Sequence, residues 1–332
     1  MTRVAVIGAG AWGTALANLL AGQGVATTIW AYEPEVVESI NQRHENELYF
    51  AGNRLDPRLT ASGELAAVIG GADLLCAVTP SHVTRRVLEQ ASPHVNQGTL
   101  LVCASKGIET DTLDLMHQVA EETVPQATFV ALSGPSFAQE VFEGQPTAVV
   151  AAADDDDAAR RAQQVFSSPK FRVYTQHDVV GVELAGSLKN VMAIAAGVLE
   201  GLGMGHNPRA ALLTRGLAEI GRLGEAMGAD PLTFAGLAGM GDLILTCTGG
   251  LSRNRKLGID LGRGKTLDEH RAGVRTVAEG VNTALGASRL AARHGVEMPI
   301  TDQVKAVLFD HVAPRDSIRT LMERTLKAES WG

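Results

Sequence analysis

Lys189 is the residue whose type and surroundings point most directly to chemistry. It lies within residues 181–203, GVELAGSLKNVMAIAAGVLEGLG, a mostly apolar run long enough for a helix. On a helix its spatial neighbours, three, four and seven residues away, are Val182, Ala185, Gly186, Met192, Ala193 and Ala196. None of these carries a charge. Loss of hydration disfavours an ammonium ion and lowers its pKa, which suits a proton acceptor. A lysine that snorkels to the surface over a buried helix fits the same stretch, so the other motifs must decide.

The strongest of these is Gly8-Ala9-Gly10-Ala11-Trp12-Gly13, preceded by the apolar run 4–7 and followed by the helical TALANLLAGQG. A GxGxxG turn between a strand and a helix is the arrangement that binds a dinucleotide. Gly8 makes the tight turn, Gly10 admits a pyrophosphate to the backbone, and Gly13 brings helix against strand. The diphosphate then meets the free N–H groups and positive dipole end of that helix. The next strand, 26–30, ends in Ala31-Tyr32-Glu33. An acidic residue at that distance suits the ribose hydroxyls of NAD, and Glu33 equally suits the start of the helix at Pro34. Arg43 and Arg54 lie within reach of an extra phosphate, which leaves NADH and NADPH both open.

Further βα units follow, with strands at 73–78, 99–104 and 128–132. They end respectively in Thr79-Pro80-Ser81, Ser105-Lys106-Gly107 and Ser133-Gly134-Pro135-Ser136. In a doubly wound fold these turns share the carboxyl edge of one sheet, where ligands bind. Lys106 there suits an anion or a carbonyl oxygen. Ser81 reads as a helix cap, and Ser136 with Gln139 as a capping box that also offers N–H groups to an oxygen-rich ligand. Strands at 147–152 and 171–175 close the sheet, and the aspartates at 154–157 start the helix between them.

After residue 180 helical periodicity replaces the strand pattern, so domains are expected at 1–180 and 181–332. The second half contains the glycine-rich GLAGMGD ending in Asp242, which reads first as a helix cap. It also contains Gly249-Gly250-Leu251-Ser252-Arg253-Asn254-Arg255-Lys256. Cations at a helix start oppose the dipole, a conflict that a bound phosphate resolves. The fold class is therefore α/β, a Rossmann-type, mostly parallel doubly wound sheet with an all-α C-terminal domain. The net charge of −8 disfavours nucleic acid as a partner. Three widely spaced cysteines suggest neither a disulfide framework nor a metal site. Without a signal-peptide pattern or a clean membrane span, the expectation is a cytoplasmic protein.

Taken in order, GAGAWGTALA, the SKG turn, SGPSFAQE, ELAGSLKNVMAIAAG, GLAGMGDLILTCTGGLSRN and VAEG resemble NAD(P)-dependent glycerol-3-phosphate dehydrogenases of the bacterial soluble type. The resemblance implies the 6-phosphogluconate-dehydrogenase-like architecture and reversible reduction of dihydroxyacetone phosphate to sn-glycerol 3-phosphate for membrane lipids. It implies that Lys189 is the catalytic proton donor and acceptor. Substrate contacts would come from Lys106, Gly134, Ser136, Lys189, Asp242, Ser252, Arg253 and Asn254, with Asn190 and Thr246 at the edge. The NAD(P)H site would use Gly8, Gly10, Ala11, Trp12, Gly13, Tyr32, Lys106, Ala138, Arg253, Val277 and Glu279. No metal is implied, and a homodimer is compatible with the family. Competing readings are a 3-hydroxy acid dehydrogenase of the same architecture and a non-catalytic dinucleotide sensor. Where many bacterial members carry an arginine or histidine, this chain has Ala31-Tyr32-Glu33, which weakens a strong NADP preference.

Overall fold

The computed structural model describes residues 2–273, 278–326 and 328–329. Eight strands form one sheet: β1 (Arg3–Ile7), β2 (Ala26–Trp30), β3 (Thr60–Ser62), β4 (Leu74–Ala77), β5 (Leu100–Cys103), β6 (Thr128–Ser133), β7 (Thr147–Ala152) and β8 (Phe171–Gln176). Their order is β3-β2-β1-β4-β5-β6-β7-β8, and every neighbouring pair is parallel except β6 with β7. Between them run α1 (Ala11–Gly22), α2 (Pro34–Arg43), α3 (Leu65–Ile69), α4 (Ser81–Ala91), α5 (Met116–Thr123), α6 (Ala138–Phe142) and α7 (Asp156–Phe166).

The central strands are apolar at nearly every position because helices cover both faces of the sheet. In β1, Val4 and Val6 enter one core with Leu16, Ile29 and Val130, while Ala5 and Ile7 enter the other with Leu75, Leu101 and Val119. The edge strand β8 instead alternates buried Phe171 and Val173 with exposed Arg172 and Tyr174. Strand order reverses between β1 and β4, and the ends of these strands carry the glycine turn and Val78. A reversal of this kind leaves a crevice at the carboxyl edge.

Two local expectations are corrected. Ser81 is the first residue of α4, and Pro80 holds the cap position, so Ser81 does not cap. Ser136 does not form a capping box with Gln139 either: α6 begins two residues later, and the Ser136 hydroxyl donates to the Gly134 carbonyl at 3.0 Å. The short strand β3 had no sequence signal of its own.

The chain separates into two compact units, Met1–Lys106 with Asp114–Val179, and Gly107–Leu113 with Val180–Gly332. The short insertion 107–113 is held within the second unit, where Arg293 Nη2 donates to the Thr112 carbonyl at 3.1 Å. The second unit is helical: α8 (Val179–Gly201), α9 (His206–Ala226), α10 (Pro231–Ala235), a π-helical turn (Leu237–Gly241), α11 (Asp242–Thr248), α12 (Arg253–Gly262), α13 (Leu267–Ala272), α14 (Gly280–Arg293), α15 (Pro299–Phe309) and α16 (Pro314–Met322).

Helix α8 is long and apolar enough to cross a membrane, yet 94% of its most apolar stretch is buried within the protein. Helix α12 packs against it at backbone distance. A Cβ on Gly197 would stand 2.8 Å from the Gly258 Cα, and one on Gly201 would stand 2.9 Å from the Gly262 Cα. Backbones can approach this closely only because all four positions lack side chains.

Glu219 of α9 is buried, and its carboxylate accepts the Ile300 N–H at 2.5 Å and the Thr301 N–H at 3.2 Å, capping α15. Burial pushes this carboxyl up to about 7 against the opposing pull of those backbone donors. A carboxyl whose folded pKa exceeds its unfolded value stabilises the fold fully below the unfolded pKa, and loses that contribution as pH rises through the folded one. Lowering the pH from 8 to 5 should therefore raise the Tm of the native chain more than that of Glu219→Gln. The difference corresponds to up to about 3 kcal/mol. Parallel Tm–pH curves for the two proteins would contradict the assignment.

Candidate active site

Each glycine of the turn after β1 answers a different steric demand. Gly8 has φ +115°, and a Cβ there would lie 2.8 Å from the Val78 carbonyl oxygen. At Gly13 an added Cβ would run into the Gly8 carbonyl, whereas one at Gly10 would meet nothing within 4 Å. The first and third glycines are thus required by packing, and the second faces open space. Gly10 caps α1 without a side-chain bond, and the first turn of α1 carries no acid. An uncapped, acid-free helix start of this kind suits an anion.

The turn is supported from beneath by Asn46, which is fully buried. Its Nδ2 donates to the Ala9 carbonyl at 3.0 Å and to Thr14 Oγ1 at 2.8 Å, and Thr14 Oγ1 donates to the same carbonyl at 3.2 Å. No sequence pattern links Asn46 to a turn 37 residues earlier. Beyond β2, Tyr32 is 80% exposed, and Glu33 occupies the cap position of α2 without a capping bond. Of the two distant cations considered with them, Arg43 pairs with Glu47 at 3.0 Å and Arg54 is exposed. Trp12 and Ala11 open α1, and Ala138 opens α6; all three are half-buried.

At the ends of β5 and β6, Lys106, Gly134 and Ser136 come together. The Lys106 ammonium donates to the Gly134 carbonyl at 3.3 Å, where the Ser136 hydroxyl also donates. Gly134 has φ +136°, and a Cβ would lie 2.9 Å from the Val149 Cα, because antiparallel β7 passes close by. The Ser105 hydroxyl ties this edge to the end of β4 by donating to the Thr79 carbonyl at 2.6 Å.

In the second unit, Lys189 is 8% exposed. Its helical neighbours are the uncharged set expected, but the pocket is not free of charge. The Lys189 Nζ lies 2.5 Å from Asp242 Oδ1 and donates to Thr246 Oγ1 at 2.7 Å. Thr246 Oγ1 in turn donates to Asp242 Oδ1 at 3.1 Å. Asp242 is therefore not a cap: it is 1% exposed, opens α11, and directs its carboxylate at the lysine. Two buried charges are tolerated when paired and further hydrogen-bonded. The pair and its hydroxyl fix where the ammonium sits.

Ser252 caps α12 as expected, its Oγ accepting the Arg255 N–H at 3.2 Å. Asn254 is buried, with Nδ2 donating to Asn190 Oδ1 at 3.0 Å and Oδ1 accepting the Gly280 N–H at 2.9 Å. It joins α8, α12 and the start of α14. Arg253 is exposed and makes no hydrogen bond or ion pair to the described residues. The cation two positions on is not free: Arg255 is paired with Glu200. Glu279 holds the cap position of α14, and Val277 lies outside the described residues.

A Rossmann-type sheet with an open glycine turn, joined to a helical unit that holds a buried lysine–aspartate pair, defines a class: the two-domain dinucleotide-dependent dehydrogenases. Residues 3–159 match the family described as NAD-dependent glycerol-3-phosphate dehydrogenase N-terminus, and residues 178–319 match its C-terminus. The chain belongs to this family. It is 55% identical, over 99% of both chains, to glycerol-3-phosphate dehydrogenase [NAD(P)+] of Geobacter sulfurreducens. Its identity to the enzyme of the same name from Koribacter versatilis is 52%, over the full length of both. The crystal structure of glycerol-3-phosphate dehydrogenase from Coxiella burnetii superposes with a TM-score of 0.94 at 37% identity, covering 97% of this chain and 99% of that one.

Replacing Asn46 by alanine removes one of the two donors to the Ala9 carbonyl, leaving Thr14 Oγ1 without its own support. Loss of one such hydrogen bond costs about 0.5–1.5 kcal/mol. NADH titrated into Asn46→Ala should bind about tenfold more weakly, close to 1.4 kcal/mol. A wild-type dissociation constant would remove Asn46 from the support of the turn.

Proposed function

We infer that the chain catalyses the reversible, NAD(P)H-dependent reduction of dihydroxyacetone phosphate to sn-glycerol 3-phosphate and acts in the cytoplasm, supplying glycerophospholipid synthesis. The observation that carries the reading is the buried Lys189–Asp242–Thr246 group, in a chain whose full length matches the family. Three buried cysteines without disulfides accord with a reducing compartment. The open space over Gly10 and the uncapped start of α1 fit a dinucleotide. A hydride for the substrate C2 comes from the reduced nicotinamide when it is bound.

The residues of the chain supply the remainder. As C2 accepts hydride, charge develops on its oxygen, and we assign the compensating proton to the Lys189 ammonium. In the oxidative direction the neutral amine takes that proton back. Asp242 and Thr246 hold Nζ through two contacts, so the proton is delivered from a fixed point. For the phosphate we assign Ser252 and Arg253. Arg253 has no partner among the described residues, α12 offers its N-terminus, and binding energy spent there orients the distant carbonyl. Lys106, Gly134 and Ser136 we assign to ligand oxygens, and the remaining glycine-turn residues with Ala138 and Glu279 to the cofactor. Glu33 after the second strand, where an arginine would hold the extra phosphate of NADPH, supports NADH as the preferred cofactor.

Lys189→Ala should lower turnover with dihydroxyacetone phosphate at least about a hundredfold, the scale of general acid–base loss. NADH affinity should change little, and undiminished turnover would refute the proton-transfer role. Arg253→Ala should raise the KM for dihydroxyacetone phosphate by about tenfold or more, as loss of a charge-assisted contact of roughly 1.5–3 kcal/mol requires. An unchanged KM would place the phosphate elsewhere.

A further inference from the structure

The turn at residues 249–252 is closed by the Ser252 N–H donating to the Gly249 carbonyl at 3.4 Å, and Arg255 holds it further. The backbone N–H of Arg255 reaches Ser252 Oγ, while its side-chain Nη1 donates to the Gly249 carbonyl at 3.2 Å. One residue therefore grips both ends of the turn. Its guanidinium is in turn fixed by Glu200 of α8. Nη2 donates to both carboxylate oxygens, at 2.9 and 2.8 Å, and Nε donates to Oε2 at 3.2 Å. Arg209 of α9 donates to the same Oε2 at 3.2 Å. This is a planar fork matched to a carboxylate, which lysine cannot reproduce.

The location makes the clamp more than surface charge pairing. The Arg255 side chain is only 15% exposed, and Glu200 lies between Gly197 and Gly201, where α8 and α12 are in backbone contact. Lys189 and Glu200 are eleven residues apart, three helical turns, and so share a face of α8. Neighbouring positions of α12 are divided between tasks. Asn254 is held by Asn190 and Arg255 by Glu200, while Arg253 has no partner among the described residues.

We propose that Arg255 is a positioning residue for phosphate recognition: clamped by Glu200, it holds turn 249–252 in the shape that presents Ser252 and Arg253 to a phosphate dianion. This rests on the functional reading above, in which that turn receives the substrate phosphate. The two arginines against one carboxylate also leave a net positive charge behind the turn, which favours an incoming dianion. The clamp fixes the turn to the helix that carries Lys189, so the phosphate is anchored to the same rigid element as the proton donor.

The test uses Arg255→Lys and Glu200→Gln, each compared with the native enzyme for steady-state kinetics and for binding of inorganic phosphate by calorimetry. Both variants should raise the KM for dihydroxyacetone phosphate about tenfold, with kcat reduced less than KM is raised, as loss of a preorganised anchor predicts. The loss in kcat/KM should fall at least about fivefold more heavily on dihydroxyacetone phosphate than on unphosphorylated dihydroxyacetone, because only the former draws on the anchor. Inorganic phosphate should bind the variants more weakly than it binds the native chain. Combining the two substitutions should cost little more than either alone, since they break one interaction. Equal losses on both substrates, or unaltered phosphate affinity in Arg255→Lys, would overturn the proposal. A native chain that binds phosphate but does not reduce dihydroxyacetone phosphate would overturn the functional reading, and the phosphate affinities would still judge the clamp.

Discussion

The second unit depends on one unfavourable act that had to be made tolerable: placing an ammonium and a carboxylate out of water together. Lys189 and Asp242 are 8% and 1% exposed. Desolvating each ion costs several kcal/mol, which only a close, correctly oriented partner offsets. The partner must come from another helix, because within two turns of Lys189 its face of α8 holds only uncharged side chains. Asp242 arrives there through the π-helical turn Leu237–Gly241, where Gly239 packs so tightly on the backbone of Phe234 that no Cβ fits. Short π turns within helices recur at functional sites. The glycine-rich stretch leads directly into Asp242, and Thr246, one turn further along α11, completes the contact.

Helix α8 is the common wall to which α12 and the start of α14 are attached. Its Asn190 anchors Asn254, whose amide also holds the first N–H of α14, and its Glu200 anchors Arg255. Between these polar attachments Gly197 and Gly201 let α12 lie against it without intervening side chains. Close backbone packing resists sliding, because any shift drives main-chain atoms into one another. This explains an α8 that is long, poor in bulky residues and nearly all buried, features that by composition alone suit a membrane span. In the first unit rigidity comes from a different source: parallel strands with apolar residues on both faces, and a glycine turn supported by the buried amide of Asn46.

Motifs with local logic were readable without coordinates. The GxGxxG turn follows from a strand before and a helix after it, the Ser252 cap from a serine ahead of a helical run, and the acidic start of α7 from the dipole. Most strands of the sheet showed as short apolar runs. Readings failed where a polar residue had two uses. Asp242 suited a cap yet is committed to Lys189 of α8, while Ser136 precedes α6 and donates within its own turn, to the Gly134 carbonyl two residues back. Asn46, Glu200 and the restraint on Arg255 had no signal, since their partners lie tens of residues away or on other helices.

By itself, then, the order of residues determined the strand–turn–helix periodicity, the glycines that permit close backbone approach, and the low-charge face that carries Lys189. These depend on neighbours within a turn or two, and short-range sterics and burial patterns are written along the chain. The contact geometry between Asp242 and the lysine, and the pairing of Arg255 rather than Arg253 with Glu200, were decided by the tertiary structure. Those pairings depend on how helices cross, and a charge finds its partner by distance in space, to which separation along the sequence gives no guide.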